Sequence, residues 1–484
     1  MMRIIGTLVW RYLQNFQKIL IAEKRNANKA EQFQRSILKT ILHLFDLRYR
    51  WSLKHFEAHL TKYPTSVENN RKGLVFVIGT LGPGGSERQA VLSLCTFAKR
   101  ITQPVALIAF SLRSKENRFF LPNLESAGVR VYELNGETRD ETGTYSEKTT
   151  AKTAARYLPP DLDDVANCME TLSFLEPSVV HIWLDETNIK AGLASVALRI
   201  PKIILNTRSL PPNNFALHQP YMRESYRWLV KQPGVVLLNN SKAGARAYEQ
   251  WLDLPRGHIR VIHNGFDLNT VHQSRADNCR QKYRRHHHIP PDVPLVGTVI
   301  RLTEEKRPLL WADIAAHVRQ ALPEAHFLVV GDGFLRVKFA DRVSKWDLSE
   351  AVHIVGYERD VLSAIAAMDL FLLTSRAEGL PNVLLEAQAM GVPVVTTDAG
   401  GAKEAVDHGQ SGWILEHDDP QHAGMVIAQL LRDLKWREKA FHHAQRLVES
   451  RFGIDRMISE TLAVYAPHIQ DQTTQDALCS GVET

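Results

Sequence analysis

The chain has 484 residues, 44% of them apolar and 23% charged, with 27 Gly, 22 Pro and a formal charge of +6. That composition excludes a disordered chain, a collagen-like fibre and a disulfide scaffold, and the length suits two large domains. Cys95, Cys168, Cys279 and Cys479 are far apart and form no C-x-x-C pair, which argues against a zinc site and fits a reducing compartment.

The charge is unevenly placed. Residues 1–72 hold 14 Lys/Arg against 5 Asp/Glu, whereas the remaining 412 residues hold 45 against 48. The main body therefore carries no net basic excess of the kind a nucleic-acid binder shows, and no nucleic acid is expected as a partner.

Residues 1–70 read as a basic amphipathic helical extension. Ile4, Ile5, Leu8, Val9, Tyr12, Leu13, Phe16, Ile19 and Leu20 fall on one helical stripe, and Arg3, Arg11 and Lys18 interrupt any apolar run long enough to span a membrane. A second pattern runs from Phe33 through Ile37, Ile41 and Phe45, with Tyr49, Trp51 and Phe56 beyond it. Such helices suit the surface of an anionic membrane, so peripheral contact through residues 1–60 is expected, at the inner face of the cell membrane of a cytoplasmic protein. Packing on the body of the chain, or on a second copy, is the alternative. Pro64 to Asn70 is the expected linker.

From Leu74 short β-rich runs alternate with helical patterns, the mark of parallel sheets with crossover helices. Strands are predicted near 74–78, 105–110, 129–134, 179–183, 203–206, 235–239 and 260–263, then near 295–300, 326–330, 352–355, 370–374 and 392–396. Residues 71–275 and 276–450 are thus expected to be two doubly wound, Rossmann-like α/β domains facing a central cleft, and 451–484 a C-terminal helix with a disordered tail. The Arg/His/Pro-rich stretch Asn269 to Val293, including His286 to His288, reads as a solvated linker, and Gly136 to Thr153 as a long polar loop.

The strongest local signal is Ser375 to Ala387 (SRAEGLPNVLLEA). A strand stops, Glu378 and Gly379 turn, and Pro381 stands where a helix takes its first residue. A helix N-terminus offers free N–H groups to an anion, and each of Glu378 and Glu386 can accept two hydroxyl groups, as a vicinal diol requires. In the first domain Gly82 to Arg88 (GPGGSER) follows a strand and opens a helix, with Ser86 and Gln89 spaced as a capping box. Neither a P-loop nor a complete G-x-G-x-x-G is present.

The Glu-x7-Glu element, followed by Ala389 to Val395 (AMGVPVV) and Gly400-Gly401, resembles the donor-site signature of the retaining family 4 glycosyltransferases of GT-B fold. Val296-Gly297 to Arg301 with Lys306, Val330 to Gly333 (VGDG), Val355-Gly356 and His263 to Gly265 (HNG) match in order and spacing, over roughly residues 73–465. The resemblance implies a transferase that moves a sugar from a nucleoside diphosphate donor, UDP-type, to a glycan or lipid-linked acceptor in polysaccharide biosynthesis. It implies that Arg301 and Lys306 hold the diphosphate, Glu378 the donor sugar and Glu386 the ribose. Gly84, Gly85, Gly331, Gly333, Gly356, Tyr357, Gly379, Leu380 and Pro381 complete the expected donor site. Many relatives carry a histidine after the strand that here ends in Asn206; this sequence reads Asn206-Thr-Arg-Ser-Leu-Pro211 instead. Arg208, Asp185 and His181 are the acceptor-side candidates, with a core role open for His181. No metal and no resident cofactor are expected. A sugar-nucleotide epimerase of the same fold and a catalytically silent assembly protein are the competing readings.

Overall fold

The computed structural model describes residues 46–60, 71–134, 157–269, 271 and 279–469. The stripe at 4–20, the Pro64–Asn70 linker, the loop after Gly136 and the tail from Gln470 lie outside the described residues.

Two parallel sheets carry the fold. The first comprises β1 (Leu74–Ile78), β2 (Val105–Ala109), β3 (Arg130–Glu133), β4 (Val179–Trp183), β5 (Lys202–Thr207), β6 (Val235–Asn239) and β7 (Arg260–Val261), in the order β3-β2-β1-β4-β5-β6-β7. The second comprises β8 (Leu295–Val299), β9 (His326–Val330), β10 (Val352–Gly356), β11 (Leu370–Leu373), β12 (Val394–Thr397) and β13 (Gly412–Leu415), in the order β10-β9-β8-β11-β12-β13. Helices cover both faces of each sheet, so strands such as LVFVI of β1 and LFLL of β11 are apolar throughout and buried at every residue. Strand order reverses between β1 and β4 and again between β8 and β11. The loops leaving these four strands flank the crevice in which open parallel sheets bind ligands.

Two segments depart from expectation. β13 was not foreseen. The stretch Asn269 to Val293 is no mere solvated linker, because it contains the helix Cys279–His286, and Arg284 within that helix is 1% exposed. Its guanidinium donates to the carbonyls of Ala367, Pro291 and Val293 and to Asp369 Oδ2 at 2.9 Å. A buried cation is tolerable here because an anion and three carbonyls surround it.

The last helix, Ile454–Tyr465, returns to the first sheet. Met457, Ile458, Leu462 and Tyr465 join the apolar cluster of Phe76, Leu94 and Phe97. Helix 46–60 also lies on the first domain. Tyr49, Leu53 and Phe56 are buried with Tyr221 and Tyr226, and Arg50 pairs both guanidinium arms with Glu224 at 2.6 and 3.0 Å. For these fifteen residues, packing on the body of the chain is the arrangement found, and only the outer face, with Trp51 60% exposed, remains outside. No helix among the described residues is long and apolar enough to cross a membrane.

Helix 46–60 should therefore contribute to stability as a core element. Phe56 is 0% exposed and meets Trp228 edge-on at 6.1 Å. Phe56→Ala should cost about 3 kcal/mol, the low end for a buried Phe→Ala change, and chemical denaturation should show the loss.

Candidate functional site

The site is built where the two sheets' carboxyl ends meet. After β11 the chain turns through Glu378 and Gly379 into the helix Asn382–Ala389. Pro381 is the N-cap, not the first helical residue, and its side chain caps no N–H, so the first-turn N–H groups face the crevice. Glu378 is 9% exposed, forms an isolated bridge with Gly400, and pairs with Lys306 Nζ. Lys306 is set by a neighbour the sequence did not single out. Arg307, at φ +50°, donates to Thr374 O at 2.6 Å and Ser375 O at 3.0 Å, while Thr374 Oγ1 donates to Lys306 O at 3.0 Å. The turn bearing Lys306 is thereby bolted to the end of β11.

Arg301 leaves β8 as an open cation, 78% exposed and 3.9 Å from Glu305. The glycines of the next loop make room for it. A Cβ on Gly331 would stand 1.9 Å from Ile300 O, and one on Gly333 2.5 Å from Leu302 O, so main chain lies on main chain at both points. Gly356, at φ +75°, ends β10, and Tyr357 beyond it is 54% exposed with its ring edge-on to Phe119 of the first domain at 6.2 Å.

The first domain supplies the facing wall. The helix Gly85–Arg100 starts at the N-cap Gly84 without a side-chain cap. The expected Ser86/Gln89 capping box does not form, because Gln89 is drawn into bonds with Gly265, donating to its carbonyl at 2.8 Å and accepting from its N–H at 3.2 Å. Gly85 O accepts from Asn382 Nδ2 at 2.9 Å, and a Cβ on Gly85 would lie 3.1 Å from that nitrogen. Arg88, one turn on, pairs with Glu386 Oε1, while Glu386 Oε2 is buried without a partner. Glu87 is half-buried here; desolvation raises its pKa, and a backbone hydrogen bond and the nearby Arg301 pull it back. Gly84 and Gly85 therefore stand opposite Arg301, Lys306 and the Glu378–Glu386 segment.

Comparison with known proteins agrees with this geometry. Residues 293–433 match the family described as "Glycosyl transferases group 1". A Salmonella typhi protein, "Vi polysaccharide biosynthesis protein VipC/TviE", is 31% identical over 412 residues, which is 80% of this chain and 70% of that protein. The chain belongs to the group 1 glycosyl transferases. The Escherichia coli "O-antigen biosynthesis glycosyltransferase WclY" is 28% identical over 238 residues, 49% of this chain and 62% of its own. Anabaena Alr3699/HepE, solved in complex with UDP and glucose, shares the fold with a TM-score of 0.68 at 22% identity, covering 81% of this chain and 99% of its own. The fold of this glycosyl transferase is accordingly the expected pair of Rossmann-like α/β domains, and the Salmonella and Escherichia relatives carry names from polysaccharide and O-antigen biosynthesis.

The acceptor-side candidates separate. His181 is 2% exposed and belongs to the core rather than to the cleft. Asn206 Nδ2 donates to its Nε2 at 2.9 Å, its Nδ1 faces Tyr465 Oη, and Phe76 and Trp183 pack on its ring. Burial, with Arg208 nearby, drives its pKa well below the ordinary imidazole value, so it is neutral. Asp185 opens the helix Asp185–Ala197, and its Oδ1 accepts from Tyr226 Oη at 2.7 Å and from Tyr248 Oη. Burial raises its pKa and the two hydroxyls oppose that rise. Leu184 before it is held at φ +76° and ψ 155°, a conformation that costs a leucine roughly 1–3 kcal/mol. Arg208 follows β5 at the crevice, its guanidinium carbon 4.6 Å from the centre of the Trp183 ring.

Three polar residues to which motif reading gave no individual role tie the domains of this glycosyl transferase together. Asn264 donates to Leu380 O at 2.8 Å and to Asn382 Oδ1 at 2.6 Å. Asn382 reaches Gly85 as described. Glu404 crosses from the second domain to accept from the N–H groups of Lys242 and Ala243, at 2.8 and 2.7 Å, and from His263 Nε2 at 3.1 Å. Only the HNG run around Asn264 hinted at any of them, since the partners are far apart in sequence.

Burial works against the Glu404 charge, but the His263 bond and the two N–H groups outweigh it and hold its pKa below the usual value. A carboxyl whose folded pKa is depressed stabilises above its unfolded pKa, near 4.3, and that support is lost as pH falls through the lower folded value. Small-angle scattering across an acid titration should show the domains parting in that window, and Glu404→Ala should shift the midpoint upward.

Proposed function

We propose that the protein transfers a sugar, with retention of anomeric configuration, from a nucleoside diphosphate sugar to a hydroxyl of a glycan or lipid-linked acceptor. The observation that carries the reading is the convergence of Arg301, Lys306 and the uncapped N-terminus of the helix Asn382–Ala389 on one side of a crevice whose other side is Gly84-Gly85. Two cations and a helix N-terminus stabilise the charge that builds on a departing diphosphate. The anomeric carbon–oxygen bond to the diphosphate breaks, the acceptor hydroxyl oxygen bonds to the same face of the carbon, and its proton leaves with the diphosphate.

Glu378, held by Lys306, would accept hydroxyls of the donor sugar. Glu386, with one oxygen on Arg88 and one free, would accept from the ribose. Leu380 and Pro381 give the turn its course, and Gly356 and Tyr357 would lie beside the base. The UDP and glucose bound by HepE, and the polysaccharide-biosynthesis roles in the relatives' names, support a UDP-type donor and a glycan acceptor. We assign no metal to the step.

The N-terminal extension would place the enzyme on the inner face of the cell membrane. Support comes from its charge and from the outward face of helix 46–60, where Leu47 is 46% and Trp51 60% exposed beside Arg48 and Lys54. Removal of residues 1–45 leaves the packed helix intact. It should release the protein from vesicles containing phosphatidylglycerol while donor binding persists, and sedimentation with and without that lipid would read both.

For the chemistry, the protein incubated with nucleotide sugars and a membrane extract should release nucleotide and give a product whose anomeric proton coupling matches the donor's. Lys306→Ala removes a diphosphate cation and leaves Glu378 unpaired, and a loss of about a hundredfold or more in kcat is expected. Unchanged turnover in Lys306→Ala and Glu378→Gln would move the site elsewhere.

A further inference from the structure

One cation of the crevice has no anion. Arg208 is partly buried, its Nη2 donates to Asn264 Oδ1, and its Nε is sealed from solvent with no acceptor at all. Burial pushes its pKa down to about 9, and no carboxylate acts to raise it. Arg284 shows how this chain satisfies a buried guanidinium that serves the fold, with Asp369 and a set of carbonyls. Arg208 has an amide oxygen and the face of Trp183. A cation left in that state costs stability unless a ligand supplies the missing charge.

Its position says which ligand. Asn264, which receives Arg208, donates onward to Leu380 O and Asn382 Oδ1, and the Arg208 carbonyl is 2.4 Å from where a Gly379 Cβ would stand. The guanidinium is thus set from the first domain beside the Gly379–Asn382 turn and the uncapped helix N-terminus that belong to the second. Two anion-seeking groups from opposite domains share one spot.

We propose that Arg208 is a third cation of the donor site, receiving an anionic oxygen of the nucleotide sugar from the first-domain side. The oxygen is either one of the diphosphate or one of a carboxylate on the sugar; the same planar, bidentate chemistry serves both. The inference rests on the nucleotide-sugar reading above and adds to it a residue at which the donor joins the two domains.

Calorimetry on the full chain with UDP, UDP-glucose and UDP-glucuronic acid tests it. Arg208→Gln should weaken binding about tenfold or more, the loss expected for one charged hydrogen-bonded pair. A loss shared by all three ligands assigns the diphosphate, and a loss confined to UDP-glucuronic acid assigns the carboxylate. Equal affinity of variant and wild type for all three overturns the proposal. Absence of binding by the wild type instead removes the nucleotide-sugar reading on which it rests. Arg208→Met separates ligand binding from folding, since it keeps an apolar side chain beside Trp183 and drops the unpaired charge. Its Tm should equal or exceed that of the wild type while nucleotide affinity falls. A Tm several degrees lower with affinity unchanged would make Arg208 a structural residue and overturn the inference.

Discussion

No side chain fits at Gly379. A Cβ there would stand 2.3 Å from Asn240 Oδ1 and 2.4 Å from Arg208 O, and one on Gly401 would stand 2.3 Å from Gly379 O. The two sheets' carboxyl ends therefore meet main chain against main chain, and glycine is what lets them approach. This contact fixes the distance between the helix Gly85–Arg100 and the helix Asn382–Ala389, hence the span from Gly85 to Asn382 and from Arg88 to Glu386. The contact is also polar and thin, made of amide and carboxylate bonds rather than a shared apolar core. Interfaces of that kind part and re-form readily, as admission of a ligand between two domains requires.

The carboxylates of the site are paired with cations of the chain itself. Lys306 holds Glu378, and Arg88 holds one oxygen of the 1% exposed Glu386. Unpaired, either charge would be costly at that burial. The pairing holds both carboxylates in place, so hydroxyl donors meet acceptors already oriented. Arg88 connects this orientation to domain approach, because it belongs to the first domain and Glu386 to the second. Glu386 thus has one oxygen occupied by Arg88 and the other buried without a partner.

What could be read from sequence follows from the range of the interactions involved. Buried parallel strands are continuous apolar runs, so twelve of the thirteen strands stood out. β13 did not, since GWIL opens on a glycine beside a turn and its two middle residues are only partly buried. The Glu-x7-Glu turn was legible because strand end, turn and helix start are contiguous. Arg284 was misjudged with its Arg- and His-rich neighbours, because the aspartate that neutralises it lies 85 residues away. His181 is the middle residue of β4, a strand buried on both faces, and alternation alone cannot say which residue of such a strand meets the ligand. Asn382 and Gly85 are 297 residues apart, and nothing local in either marks the other.

Charge follows the same logic. The body beyond residue 72 has 45 basic and 48 acidic side chains, a balance that says nothing about affinity for a phosphate. Affinity depends on where cations go unmatched. Arg342 faces Asp313, Arg451 faces Asp407, and Arg280, Arg284 and Arg437 share Asp369. Arg301, with a carboxylate no nearer than 3.9 Å, and Arg208, with none acting on it, are more loosely matched, and they belong to different domains. Arg208, partly buried at the crevice, acts through a lower effective dielectric than a surface lysine does. The basic N-terminal excess cannot substitute for these arginines. Part of it is spent on the fold, as Arg50 is on Glu224, and helix 46–60 rests on the helix Met222–Leu229, outside the loops that bound the crevice. The two accumulations of positive charge are thus separate devices, one counted in bulk at a surface and one defined by where a few residues with distant or no counter-ions stand.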